Sequence, residues 1–146
     1  MKMLKIFTLI ILFAFSNSYT QDFWEKTSGL DNMTIYAQAI NSSGDIFAGT
    51  DSNGVFRSTN KGNNWTNLGL ANYTISSMVI SATGQILVGT TINADGGIFR
   101  STNNGNSWDS LGISEHPITS IAFKNSNGSI FAGTAAVGVF RSTDDG

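Results

Sequence analysis

The 146 residues are 40% hydrophobic and 12% charged, with 16 Gly and one Pro, and this composition excludes an intrinsically disordered chain. The eight basic residues form no cluster and are outnumbered by ten acidic ones, which argues against binding to nucleic acid or anionic lipid. The sequence contains no Cys, so neither a disulfide nor a cysteine-linked lipid anchor is expected.

The first predicted element is a secretory signal peptide at residues 1–20. Two lysines precede an apolar run at 6–15, which is short for a membrane-spanning helix and typical of a signal core. Small residues then favour cleavage before Tyr19 or before Gln21. We therefore expect a secreted, periplasmic or cell-surface protein with no membrane insertion after cleavage, and an uncleaved anchor is the alternative.

After the predicted cleavage site, residues 21–146 form a series of repeats. Trp24, Trp65 and Trp108 are separated by 41 and 43 residues. Repeats of about 40 to 50 residues that each contain four short strands are typical of β-propellers.

Each repeat contains three apolar segments that predict β-strands. The first strands are predicted at 35–40, 75–80 and 118–123. The second strands are predicted to begin at Ile46, Ile86 and Ile130. The third strands contain the apolar pairs that follow Gly54, Gly97 and Gly138.

A polar motif follows the third strand of every repeat. It reads STNKGNNW from Ser58, STNNGNSW from Ser101 and STDDG from Ser142. The Asn or Asp at its third position can accept hydrogen bonds from backbone N–H groups two residues on, and the serine can do the same more weakly. The glycine at the fifth position allows a positive φ. The motif therefore predicts a turn closed by its own side chains, after which Trp65 or Trp108 begins a fourth strand.

The pattern S-x-[DN]-x-G-x-x-W resembles the Asp-box, or bacterial neuraminidase repeat, of sialidases, sortilin ectodomains, xyloglucanases and photosystem assembly factor-like propellers. In that family the Asp-box is a structural turn between the third and fourth strands of a propeller blade. The resemblance covers residues 22–146 and implies an all-β fold, a partial β-propeller of four-stranded blades. Asn replaces the family's Asp in the two full copies. The structural Asp-box residues are then Ser58, Asn60, Gly62, Trp65, Ser101, Asn103, Gly105, Trp108, Ser142, Asp144 and Gly146.

The resemblance also implies a domain organisation. Two full blades are expected at 35–69 and 75–112, and a truncated blade at 118–146. Residues 21–30 carry Trp24 without a preceding Asp-box, so they are expected to form an orphan outer strand of another blade. A propeller needs about four to eight blades, and we therefore expect this chain to be a fragment that lacks the remaining blades.

Candidate catalytic and metal-binding groups are better explained as structural or solvated residues. Arg57, Arg100 and Arg141 could suggest a sialidase arginine triad, but each occupies the same place in its repeat. A hydrolase would need two carboxylates that face each other across a cleft. The carboxylates in predicted loops are Asp51, Asp95 and Glu115. A single His without Cys provides too few ligands for a metal site, and no cofactor is expected.

Candidate ligand contacts lie in the loops that vary between repeats. The resemblance places the loops between second and third strands on one face, together with the blade-to-blade loops, and the Asp-box turns on the other face. Variable loops on a constant scaffold are where binding usually resides. The candidates are Asp51, Asn53, Tyr73, Asn93, Asp95, Glu115 and His116, and solvated turns are the alternative. Trp65 and Trp108 could stack on sugars, but their fixed place favours packing.

These expectations favour an exported, non-catalytic scaffold or recognition module whose partner is an unknown glycan, peptide or protein. One alternative is a fragment of a secreted glycoside hydrolase, sialidase-like or xyloglucanase-like. A second alternative is the periplasmic sensor propeller of a receptor.

Overall fold

The computed structural model describes residues 23–91, 96–124, 128–144 and 146, with Lys124 described by its backbone alone. Within these ranges, eleven strands form three antiparallel sheets, which we call blades 1, 2 and 3. Blade 1 contains β1 (Ile35–Ile40), β2 (Ile46–Thr50), β3 (Val55–Ser58) and β4 (Thr66–Asn67). Blade 2 contains β5 (Ile75–Ile80), β6 (Ile86–Thr90), β7 (Ile98–Ser101) and β8 (Asp109–Ser110). Blade 3 contains β9 (Ile118–Lys124), β10 (Ser129–Thr134) and β11 (Val139–Ser142).

Each sheet is a simple meander in which consecutive strands are neighbours. The predicted all-β architecture is therefore confirmed. The fourth strand is shorter than expected: β4 pairs with β3 through Phe56–Asn67 and Arg57–Thr66 alone. The prediction that the tryptophan begins this strand is wrong by one residue, because pairing with β3 starts at Thr66.

The hydrophobic core lies between the blades. One cluster of buried side chains lies between blades 1 and 2 and contains Phe47, Val55, Ile75, Ile86, Val88 and Phe99. A second cluster lies between blades 2 and 3 and contains Leu87, Ile98, Ile118, Ile130 and Ala132. The first strands also lie against each other, β1 against β5 and β5 against β9, so each blade is held by its neighbours.

A close contact between an isoleucine and a glycine recurs at both blade junctions. A Cβ atom added at Gly49 would lie 2.5 Å from Cγ2 of Ile75, and one added at Gly89 would lie 2.5 Å from Cγ2 of Ile118. Because real Cβ atoms do not approach a neighbour this closely, the second strand of one blade needs glycine where the first strand of the next blade docks.

Polar contacts add a second connection between blades 1 and 2. The Arg57 guanidinium donates to the backbone carbonyl of Asn104 at 2.9 Å. The side chain of Asn104 accepts from Asn41 Nδ2 at 3.0 Å and donates to Asp45 Oδ2 at 2.9 Å. Residues 47 or more positions apart are thus joined across the junction, and the interpretation of Arg57 as a structural residue is supported.

The segment before blade 1 packs against the first polar turn. Thr27 lies over Gly62, where an added Cβ would come within 2.5 Å of its methyl group, and Ser28 Oγ donates to the carbonyl of Asn63 at 3.3 Å. Leu68 and Leu111 lie in the same way over the glycines of the next two turns. Residues 27–28 thus take the place of a fourth-strand end, although no strand is formed at 23–34. The predicted orphan strand at 21–30 stays a prediction.

Candidate functional site

Each polar turn is organised around a serine, which is buried in blades 1 and 2 and half-buried in blade 3. In blade 1, Ser58 Oγ accepts the backbone N–H of Gly62 at 2.8 Å and donates to Asn60 Oδ1 at 3.0 Å. Asn60 Oδ1 in turn accepts the N–H of Asn64 at 2.9 Å. The asparagine thus bonds four residues on, not two as predicted, because Lys61 and Gly62 both have positive φ, 60° and 86°, and fold the next N–H groups inward.

The other two turns are built in the same way. The serine that receives the glycine N–H also donates to the Asx oxygen in each case. The equivalent groups are Ser101, Asn103 and Gly105 in blade 2 and Ser142, Asp144 and Gly146 in blade 3. One hydrogen-bonding geometry thus recurs at equivalent positions of all three blades.

Hydrogen bonds show which loops share a face. The loop between β2 and β3 bonds to the blade-to-blade loop that follows β4: Gly54 N–H donates to the Tyr73 carbonyl at 3.3 Å, and Asn72 N–H donates to the Ser52 carbonyl at 3.1 Å. Asn104 of the second polar turn instead contacts the turn between β1 and β2. The loops predicted to carry ligand contacts therefore lie together, apart from the polar turns.

A groove lies on this loop face between blades 1 and 2, and we call it the junction groove. It has a volume of about 420 Å³ and is lined by Tyr36, Asp51, Thr74, Ser76 and Thr91. The Tyr36 side chain is 55% exposed, so its ring is available to a ligand. Hydroxyl groups, one carboxylate and an aromatic ring thus border one opening.

The carboxylate of Asp51 is held in place by its neighbours. Its Oδ1 accepts hydrogen bonds from Thr74 Oγ1 at 2.8 Å and from Ser52 Oγ at 3.2 Å, and its backbone N–H donates to the Thr34 carbonyl at 3.0 Å. The remaining lone pairs of this exposed carboxylate are free to accept from a ligand.

The lining of the junction groove differs between repeats. Tyr36 is replaced by Ser76 in the second repeat, and Asp51 is replaced by Thr91. In the third repeat the equivalent residues are Thr119 and Ala135. Tyr36 was missed as a site residue because strand periodicity alone does not mark it, but an alignment of the three repeats at this position would have revealed the single aromatic ring.

Two predicted ligand contacts instead pack on aromatic rings. The Tyr73 ring lies 5.1 Å from the Phe99 ring, between centroids, at 58°. The His116 ring stacks on Phe140 at 5.6 Å and 23°, so His116 is half-buried and not a freely exposed loop residue. Tyr73 and His116 occupy the same place in successive repeats, which favours packing as their role.

The other predicted contacts are dispersed. Asn53 is exposed in the loop after β2, where its side chain donates to the Asp51 carbonyl at 2.9 Å. Glu115 is exposed beside His116, in a separate shallow opening of about 350 Å³. Asn93 and Asp95 lie outside the described residues, as does the predicted signal peptide. Of the predicted contacts, Asp51 is the one that lines the junction groove.

Within the described ranges, no three His, Cys, Asp or Glu side chains come close enough to hold a metal ion. The same part of the chain also has no helix with the length and apolar character that a membrane crossing requires.

Comparisons with known proteins place this fold among β-propellers. No protein-family model and no curated protein matches the sequence. Among solved structures, an ancestral GH74 enzyme is 25% identical with a TM-score of 0.64, and the match covers 77% of this chain and 17% of the enzyme. The arrangement of blades is therefore that of a partial propeller, as predicted.

Two further structures share the fold. YCF48 from Cyanidioschyzon merolae is 13% identical with a TM-score of 0.62, over 78% of this chain and 35% of YCF48. The extracellular domain of BT4673 from B. thetaiotaomicron is 19% identical with a TM-score of 0.58, over 80% of this chain and 16% of that domain. The present chain thus spans at most about a third of these neighbours.

Proposed function

We propose that this chain is part of an exported, non-catalytic propeller whose junction groove binds an extended ligand, a glycan or a peptide. The proposal rests on the composition of the groove. The exposed Tyr36 ring and the Asp51 carboxylate, which Thr74 fixes by a hydrogen bond, border the same opening. An aromatic platform beside convergent polar groups is the composition of a typical ligand site.

The variation between repeats supports this assignment. The turn serines and the isoleucine-on-glycine contact, seen first at Gly49 and Ile75, stabilise the blades and recur at equivalent positions. Tyr36 and Asp51 do not recur. Packing between repeats does not require an aromatic ring and a carboxylate at a single junction. A ligand-binding site at that junction does require such groups.

The polar turns are proposed to be Asp-boxes, the repeat that the sequence pattern resembles. The burial of Ser58 and Ser101 and the hydrogen bonds within each turn support a structural role. Export is proposed from the apolar segment at 6–15, and the extracellular location of the BT4673 domain is consistent with it.

Binding to glycan and peptide arrays tests the proposal. We expect the full chain to retain a ligand of one of these two classes, and we expect Tyr36→Ala and Asp51→Asn each to weaken binding by at least about tenfold, as for a central contact. Thr59→Ala, on the exposed surface of a polar turn, is the matched control and should leave binding unchanged. Binding that survives both groove substitutions and fails in Thr59→Ala would show that the wrong face has been chosen.

A fragment of a glycoside hydrolase is the second candidate, favoured by the likeness to the GH74 enzyme. Hydrolysis would require a second carboxylate opposite Asp51, and Asp95 is the nearest in sequence to the groove residue Thr91. Release of reducing sugar from xyloglucan by the chain, abolished in both Asp51→Asn and Asp95→Asn, would replace binding with catalysis as the assigned function.

A sensor role rests on the BT4673 domain, which is assigned to a one-component or hybrid two-component system. A recognition role is equally compatible with YCF48, of which one structure has a bound D1 peptide. Both roles need a ligand at the propeller, so the array experiment addresses them together.

A further inference from the structure

The junction groove offers a ligand more hydrogen-bond acceptors than donors. Thr74 Oγ1 donates to Asp51 Oδ1 at 2.8 Å. Ser76 Oγ donates to the backbone carbonyls of Gly89 and Ile118. Because a hydroxyl group carries a single proton, the oxygens of Thr74 and Ser76 present lone pairs to a ligand, and the Asp51 carboxylate adds further acceptors. A ligand that fits these groups has to supply the donors.

The Asp51 carboxylate is open to a ligand through one of its two oxygens. Its Oδ1 accepts hydrogen bonds from Thr74 and Ser52, at 2.8 and 3.2 Å, which occupy both lone pairs of that oxygen. No described residue donates to Oδ2. A guanidinium pairs best with both oxygens of a carboxylate, through two parallel bonds, whereas a primary ammonium acts as a point charge and needs a single oxygen. The open Oδ2 therefore favours an ammonium over a guanidinium.

No neighbouring cation neutralises the charge of Asp51. Within the described ranges, the one ion pair joins Lys26 to Asp31. Arg57 donates to a carbonyl of the second polar turn, away from the loop face. The Asp51 side chain is exposed, and the two groups that donate to it are uncharged hydroxyls. A cationic ligand at Oδ2 would thus meet an unpaired negative charge.

Tyr36 provides the aromatic side of the groove. Ser76 occupies the equivalent position in blade 2 and bonds to Ile118 of blade 3, so this position faces the following blade. The opening that Tyr36 lines therefore belongs to the junction between two described blades. An ammonium is attracted to the face of a tyrosine ring. The methylene groups of a lysine can pack on an apolar surface while the charged end reaches a polar partner.

We propose that the junction groove recognises the lysine side chain of an extended peptide, with the ammonium at Asp51 Oδ2 and the methylene groups along the Tyr36 ring. The inference rests on the proposed binding function and narrows it to one class of ligand. Sugar hydroxyls are both donors and acceptors, and the oxygens of Thr74 and Ser76 satisfy only their donor half. A lysine ammonium has three donors and no acceptor, which matches the groove.

A peptide array with lysine as the varied group tests the proposal. The full chain is applied to a random-sequence peptide library, and the retained peptides are remade with Nε-acetyl-lysine or with arginine in place of lysine. We expect acetylation to weaken binding by at least about tenfold, because it removes the charge that strengthens the hydrogen bond to Asp51. Arginine is expected to bind more weakly than lysine. Equal binding of all three forms would overturn the proposal.

Acetylation of the peptide amino terminus separates the two sources of an ammonium. The α-amino group carries the same charge as lysine but lacks its four methylene groups, so it cannot contact the Tyr36 ring in the same way. We therefore expect Nα-acetylation to leave binding unchanged. Binding that is lost on Nα-acetylation and survives Nε-acetylation would contradict the lysine assignment.

Substitutions in the protein locate the ammonium. Asp51→Asn keeps the shape of the side chain and removes its charge, so it should weaken binding of the lysine peptide by at least about tenfold. The same substitution should have little effect on the acetylated peptide, since the two changes remove one interaction. An equal effect on both peptides would contradict a contact between this carboxylate and the ammonium. Circular dichroism verifies folding, and the peptide modifications test the proposal without altering the protein.

Two substitutions of Tyr36 test the role of the ring. Tyr36→Phe keeps the aromatic face and should bind the lysine peptide like the native chain, whereas Tyr36→Leu should bind it more weakly. Equal loss of binding in both variants would show that the hydroxyl, and not the ring, is recognised.

The preference for lysine over arginine has a test of its own. Thr74→Val removes the hydroxyl that occupies one lone pair of Asp51 Oδ1, which opens that oxygen to a guanidinium. The variant should therefore bind the arginine peptide more tightly, relative to the lysine peptide, than the native chain does. Thr59→Val, on an exposed part of a polar turn, is the matched control. A ratio that is unchanged in Thr74→Val would contradict the occupied Oδ1 as the cause of the preference.

The outcomes distinguish this inference from the proposed function. Neutral glycans or lysine-free peptides that the chain retains, and that Tyr36→Ala releases, would overturn the lysine assignment and leave binding at the junction groove intact. Retention of no peptide and no glycan would overturn both.

Discussion

Individual hydroxyl groups stabilise the polar turns of this protein. Ser58 and Ser101 are buried, and each accepts the N–H of a glycine four residues on. If a buried N–H loses its acceptor, the folded state bears the full desolvation penalty of that N–H. Removal of the small serine hydroxyl is therefore expected to destabilise the turn more than the size of the group indicates.

The contribution of this hydroxyl to stability can be measured by substitution. Ser101→Ala is expected to lower the free energy of unfolding by about 1–3 kcal/mol, because the Gly105 N–H is left unsatisfied. Ser107→Ala removes a hydroxyl from the same turn that accepts from Asn103 Nδ2 on the exposed surface, and it should change stability by less than about 0.5 kcal/mol. Urea unfolding measures both, and equal effects would contradict the central role of Ser101.

The third turn makes a prediction about pH. The Ser142 hydroxyl donates to Asp144 at 2.7 Å and holds the pKa of that carboxyl below its ordinary value of 3.8. A depressed pKa means that the charged carboxylate stabilises the turn above pH 3.8 and that this contribution is lost as the pH falls through the lower folded-state pKa. In Ser142→Ala the pKa of Asp144 should rise toward 3.8, which an NMR titration of the carboxyl carbon follows. An unchanged titration would show that the hydroxyl has no part in the shift.

At the scale of elements, the two tryptophans after the turns differ although their positions are equivalent. Trp108 Nε1 donates to the Leu68 carbonyl of the preceding blade at 2.9 Å, and its ring packs against the core between blades 1 and 2. Trp65 Nε1 is also buried, but no acceptor for it is found among the described residues. Trp108 therefore joins two blades, whereas Trp65 lies beside Gly29 of the leading segment.

Substitution with phenylalanine separates the two roles. Trp108→Phe is expected to lower the free energy of unfolding by about 0.5–1.5 kcal/mol through loss of its hydrogen bond, beyond any packing change. Trp65→Phe loses no bond seen in the structure and should cost less. The difference between the two midpoints in urea is the measured quantity, and a larger loss for Trp65→Phe would contradict the assignment.

The elements of the fold were more predictable than the contacts between them. The predicted strands at 35–40 and 75–80 agree with β1 and β5, because apolar segments bounded by polar turns mark strands locally. The bond from Arg57 to Asn104 joins positions 47 residues apart, and no local pattern reveals it. Tyr36 was missed for a related reason: its place in a groove depends on the neighbouring blade.

At the scale of the whole molecule, the proposed export leads to a further prediction. A chain that is secreted by its native signal should begin at Tyr19 or Gln21, since small residues precede both positions. N-terminal sequencing of the exported protein identifies the cleavage site. Soluble protein that retains Met1 and stays in the cytoplasm would contradict export.

The isoleucine-on-glycine contact has a consequence for how such a protein changes over evolutionary time. Because Gly49 and Gly89 receive Ile75 and Ile118 in the same way, a blade copied in frame by recombination would meet both of its neighbours correctly from the start. The units in this sequence are 41 and 43 residues apart, so an unequal crossover could lengthen or shorten the gene by one unit without a compensating mutation. We therefore expect the isoleucine-on-glycine contact to survive a change in the number of blades.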